Sequence, residues 1–216
     1  MHFLIFLGSV RESTPPSPAR LGKRVALACE QYFAEHSPHT VEIIDPLDIG
    51  RDKVFKPHFA YSKSKAPSYL DALAEKIKNA DGYVMVSPEY NHSMSPALAD
   101  LLNHFGSSLF SYKPSAIVTY SAGQWGGARA AMNMRGFLSE LGCLPVSAMV
   151  HLPKAQEIFT VNGGILKDKE SWQGFMGRGF LQLQWWAQAS KNMKENIDPI
   201  KLTPAMLKEP SQRNAP

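Results

Sequence analysis

Long apolar runs, a cysteine framework and concentrated blocks of charge are all missing from this chain. Its 216 residues hold two cysteines, Cys29 and Cys143, and neither stands in a CxxC motif or beside clustered histidines. That excludes a disulfide scaffold and argues against a metal site. Both cysteines have apolar neighbours in helix-like segments, so both are expected to be buried structural thiols, which suits a reducing compartment. No segment is long and apolar enough to span a membrane. The opening run Met-His-Phe-Leu-Ile-Phe-Leu-Gly is too short for a signal peptide and lacks a basic start, so the expected location is cytoplasmic. The net charge of +4 and pI near 9.0 describe an ordinary surface or a mild attraction for phosphorylated cofactors. Without a Lys/Arg run they do not point to nucleic acid.

What is present alternates between strand and helix. Hydrophobic residues make up 44% of the chain, enough for a sizeable core. Apolar runs at Phe3–Leu7, Val41–Ile44, Tyr83–Val86, Ser115–Tyr120 and Val146–Val150 read as strands covered on both faces. Helical spacing occupies residues 18–35, 68–79, 126–141 and 169–194, and Pro96 with Ser95 as cap opens another helix. Gly142 suits a left-handed helix end. Residues 46–67 form a long loop of the kind that is usually functional or mobile. Five strands with helical crossovers imply an α/β fold with a parallel, doubly wound sheet in the order 2-1-3-4-5, whose switch point lies between the first and third strands. One domain is expected over residues 1–195, with an extended or disordered tail over 196–216.

The chemistry is expected in three loops that follow strands at the carboxyl edge of that sheet. The first, residues 8–20, combines Ser9, Arg11, Ser17 and Arg20 with a helix start. Hydroxyls, unpaired N–H groups and a helix dipole form a phosphate site, although a capped helix with surface arginines has the same composition. Neither a Walker loop nor GxGxxG is present, which excludes nucleotide binding in those manners. The second loop is Pro88-Glu89-Tyr90-Asn91-His92-Ser93. Its backbone N–H groups and the Asn91 amide match the polar edge of a flat heteroaromatic ring, and Tyr90 can flank that ring. His92 reads as a solvated or packing residue rather than a base. The third loop holds Ser121, Gly123, Gln124, Trp125, Gly126 and Gly127. Its glycines permit close approach of a ligand or tight helix–strand packing, and Gln124 and Trp125 are placed to close over a bound ring.

Gly8-Ser9-x-Arg11, Pro88–Ser93 with Pro96-Ala97-Leu98, and Gly123-x-x-Gly126-Gly127 with Leu141-Gly142 together resemble the flavodoxin-like NAD(P)H-dependent FMN reductases and related quinone and azo-dye reductases. The resemblance runs over about residues 2–190, and Pro-Glu-Tyr-Asn is its most specific part. It implies a flavodoxin-like three-layer sandwich and non-covalent FMN, with the phosphate on Ser9, Arg11 and the Ser17–Arg20 region. The ring would lie on Pro88, Glu89, Tyr90 and Asn91 and on Ser121, Gly123, Gln124, Gly126 and Gly127. It also implies NAD(P)H as co-substrate, a small-molecule acceptor, ping-pong turnover without a catalytic side chain, and a homodimer with the helix after Pro96 near its interface. A flavodoxin-like electron carrier, or a flavin-based redox sensor acting through protein partners, stays open as the alternative.

Overall fold

The computed structural model describes residues 1–11, 19–50, 54–62 and 65–202. Its strands are β1 (His2–Leu7), β2 (Thr40–Ile44), β3 (Gly82–Pro88), β4 (Pro114–Tyr120), β5 (Leu144–Pro145) and β6 (Val150–Leu152). Its helices are α1 (Leu21–His36), α2 (Ser68–Asn79), α3 (Pro96–Asn103), α4 (Ser107–Phe110), α5 (Ala128–Leu141), α6 (Ala155–Ile158), α7 (Lys169–Asn196) and α8 (Pro199–Leu202). A 3-10 turn at His58–Ala60 lies within the long loop. All pairings are parallel, in the order β2-β1-β3-β4-β5, with β6 also on β4. This is the expected order.

Alternation along β1 separates two cores. Phe3, Ile5 and Leu7 face α1 and α7, while Leu4 and Phe6 face α2, α3 and α5. Every residue of β3 and β4 is buried, as central strands covered on both faces require. The registers Leu7↔Val86, Pro88↔Tyr120 and Tyr120↔Leu152 bring the carboxyl ends of β1, β3, β4 and β6 to one edge.

The fifth strand differs from the continuous Val146–Val150 run expected. Pairing with β4 breaks between Pro145 and Val150 because side chains take over the backbone groups there. Arg135 donates to the carbonyls of Val146 at 2.9 Å and Ser147 at 3.1 Å, and Gln182 Oε1 accepts from Ala148 N–H at 3.0 Å. Towards the end of the chain, the short helix α8 stands within the stretch expected to be extended or disordered, and residues 203–216 lie outside the described residues.

Candidate functional site

The first loop leaves β1 through Gly8, whose N–H donates to Val86 O at 2.7 Å. A Cβ here would meet that carbonyl at 2.6 Å, so only glycine lets the loop cross β3 so closely. Ser9 is buried, and its side chain is hydrogen bonded to the Tyr120 hydroxyl. Burial pushes that phenol up and keeps it protonated. Arg11 is exposed, with its guanidinium 5.8 Å from the Tyr90 ring centroid. Ser17 lies outside the described residues. Arg20 is buried. It donates to Ser9 O at 2.8 Å and forms an ion pair with Asp45 at the end of β2. Burial works to raise the Asp45 carboxyl, but Arg20, the Leu47 N–H and Lys23 outweigh it and hold the carboxyl below its ordinary range. Arg20 therefore ties Ser9, at the start of the loop, to the end of β2. Helix α1, of 16 residues, begins directly after Arg20 with no acidic residue in its first turn and no side-chain cap from Arg20, while Asp45 beside it is engaged by Arg20 and Lys23.

The second loop is a tight hairpin turn. Tyr90 and Ser93 exchange backbone hydrogen bonds, both at 3.0 Å. The two residues between them, Asn91 and His92, have φ of 50° and 63°. Paired left-handed residues closing a two-residue connection make a type I′ turn. Asn91 and His92 project into solvent at its tip, Tyr90 is half-buried and Pro88 is buried. Ser95 then caps α3, its hydroxyl accepting from Leu98 N–H at 3.1 Å.

Glu89 does not point along that turn. Its carboxylate accepts from the Arg129 and Ala130 N–H groups at 3.1 and 3.3 Å and pairs with the Arg129 guanidinium at 2.7 Å. It thus caps the N-terminus of α5 from a loop 40 residues away in sequence, and Ser93 adds a hydrogen bond to Asn133 of the same helix at 3.1 Å. Burial would raise the Glu89 carboxyl, but Arg129 and the helix N–H groups outweigh it and hold it low.

The third loop is fixed from within and from β6. Ser121 Oγ donates to Gly123 O at 2.8 Å and accepts from Gly126 N–H at 2.9 Å, while Lys154 N–H donates to Gly123 O at 2.8 Å. Gly126 and Gly127 have φ of 60° and 79°, and a Cβ on Gly127 would stand 2.8 Å from Thr119 Cβ. A Cβ on Gly123 would meet nothing within 4 Å. Gln124 and Trp125 are exposed, with Arg129 5.8 Å from the Trp125 ring centroid.

Three residues that shape this edge were missed by reading the sequence: Asp45, Tyr120 and Arg129. Asp45 and Tyr120 end strands at the carboxyl edge, and Arg129 stands in the first turn after a glycine pair. Those positions were the available signal.

Among the described residues, the edge brings the two ends of the first loop together with the second and third loops beside the start of α1, whose first turn carries no acid, while the N-terminus of α5 is closed by Glu89. Residues 1–157 match the family of NADPH-dependent FMN reductases. The chain belongs to that family. An NAD(P)H-dependent FMN reductase of Pseudomonas aeruginosa is 35% identical over 107 residues, 48% of this chain. That match spans 58% of the relative's length. A quinone reductase of Escherichia coli K12 is 41% identical over 142 residues, covering 64% of this chain and 69% of that protein. Among solved structures, the flavoenzyme NAD(P)H:(acceptor) oxidoreductase FerB of Paracoccus denitrificans superposes with a TM-score of 0.64 at 18% identity, over 85% of this chain and 97% of that one. That likeness is one of fold. Among the described residues of this FMN reductase family member, no helix is long and apolar enough to cross a membrane.

Proposed function

We propose that this chain is an FMN-dependent oxidoreductase that takes hydride from NAD(P)H and reduces a small acceptor: a quinone, an azo compound, a metal oxyanion or free flavin. The observation that carries this reading is the difference between the two helix N-termini at the carboxyl edge. That of α5 is neutralised by Glu89, and that of α1 has no acid in its first turn. A phosphate is therefore drawn to α1, where Ser9 and Arg11 flank it and Arg20 and Asp45 hold the loop in shape. The residues fit FMN: an anion site at α1 adjoins a rigid hairpin and a rigid glycine loop, both able to present backbone N–H groups to a polar ring edge.

Bound FMN would supply the hydride-accepting and electron-donating chemistry. The protein's part is placement. Pro88–Asn91 support one side of the ring site, and Ser121–Gly127 line the other. N–H groups of the second and third loops would stabilise negative charge on a reduced ring. No side chain at this edge is needed as a nucleophile or base.

NAD(P)H and acceptor would use the same opening in turn, giving ping-pong kinetics: parallel double-reciprocal lines support this, and intersecting lines overturn it. A homodimer in the cytoplasm completes the proposal. Support for the compartment comes from two buried free thiols. Sedimentation velocity tests the dimer, and a single monomeric species would exclude it. The function itself is tested by the visible spectrum of protein reconstituted with FMN, followed by anaerobic NADPH or NADH. Flavin bands that bleach support the reductase. Bands that persist indicate a carrier or sensor, and the absence of bands refutes the FMN site.

A further inference from the structure

Trp125 is 64% exposed on a loop that is otherwise locked, which is an unusual place for the largest apolar side chain. Its backbone is fixed on both sides by the Ser121 hydroxyl bridge and by Gly126, whose φ of 60° favours glycine and where a Cβ would stand 3.0 Å from the backbone nitrogens of Leu152 and Pro153. Behind the ring stands Arg129, 5.8 Å from its centroid. That guanidinium cannot wander, because Glu89 holds Nε at 2.8 Å and Nη2 at 2.7 Å, and Glu89 is itself only 9% exposed. A largely covered carboxylate thus holds the guanidinium beside an aromatic ring that is mostly open. Gly123, two residues before Trp125, borders open space: a Cβ there would touch nothing within 4 Å.

Resting on the reductase reading, we propose that Trp125 is the acceptor-selecting residue of this site, a stacking wall for flat aromatic acceptors such as quinones, with Glu89 and Arg129 as the positioning residues that hold it. Arg129 occupies one side of the ring, and the exposed side offers an indole face on which a flat quinone can stack. Non-planar acceptors gain nothing from this wall.

The test compares 1,4-naphthoquinone with ferricyanide as acceptors for the FMN-loaded protein, with NADPH as donor. In protein saturated with FMN, W125L is expected to raise KM for naphthoquinone about tenfold more than it raises KM for ferricyanide. W125F is expected to restore KM to within about twofold. An unchanged quinone KM in W125L, or equal losses with both acceptors, overturns the proposal. A second readout needs no turnover. Naphthoquinone titrated into oxidised protein is expected to quench tryptophan fluorescence saturably, and W125F, which keeps Trp172, Trp185 and Trp186 on α7, is expected to lose that component. Equal saturable quenching in both proteins, or none in the wild type, overturns the stacking. A wild type that oxidises no NADPH defeats the reductase reading instead, and the quenching still decides this one.

Discussion

Replacing Glu89 with glutamine keeps the side chain's size but removes the charge facing Arg129 and the N-terminus of α5. The loss of a charged cap is expected to cost about 1–2 kcal/mol, lowering Tm by about 3–6 °C for a chain of this length. The pH dependence follows from the depressed carboxyl of Glu89. Its stabilisation is present above the unfolded value of about 4.3 and is lost as pH falls through the lower folded value. Melting curves of wild type and E89Q are therefore expected to differ at neutral pH and to converge only once the pH has fallen through the lowered folded value of Glu89. A second residue tests the turn. His92 adopts φ of 63°, which burdens any side chain by about 1 kcal/mol relative to glycine. H92G is expected to raise Tm slightly and to leave kcat within about twofold, because no acid–base role falls to the imidazole. A large fall in kcat would reverse that assignment.

At the scale of elements, the two kinds of glycine in the third loop make opposite predictions. G127A places a methyl against Thr119 at a φ of 79° and is expected to cost about 2–3 kcal/mol. G123A enters open space and is expected to shift Tm by about 1 °C or less. Thermal denaturation of the pair decides it. These contrasts also show what the chain's sequence could convey. The helix at Ser68–Asn79, the cap at Ser95, the glycine end at Gly142 and the strand order were legible because each depends on local spacing or on one turn residue. The break in the fifth strand was not. It is made by Arg135 and Gln182, side chains that arrive from two different helices. Glu89 was likewise placed on the right loop, but its capping of a helix 40 residues on is a tertiary event without local signature. The same holds for Arg20, whose partner Asp45 lies 25 residues away. That the turn at Asn91–His92 closes as a two-residue hairpin has no local signature, because histidine stands where the hairpin signal prefers glycine.

Across the whole molecule, FMN binding and folding are expected to be linked. A ligand at 100 times its Kd stabilises a fold by about 2.7 kcal/mol, so removing FMN is expected to lower Tm by about 5–10 °C. The drop should appear in the circular dichroism melt and reverse on adding FMN back. An unchanged melt would show that the three loops are set without the cofactor and gain nothing from it.

The sheet that divides the core also divides the two thiols. Cys29 lies in the layer shared by α1 and α7, and Cys143 lies in the layer of α2, α3 and α5. Burial pushes the Cys29 thiol far up and that of Cys143 up to about 12, so neither reacts with a thiol reagent while its layer is shut. The chain therefore carries a separate clock for each half of its interior. Equal labelling rates would mean that the molecule opens as one cooperative body. Unequal rates would name the layer that breathes first, with no probe added to the protein.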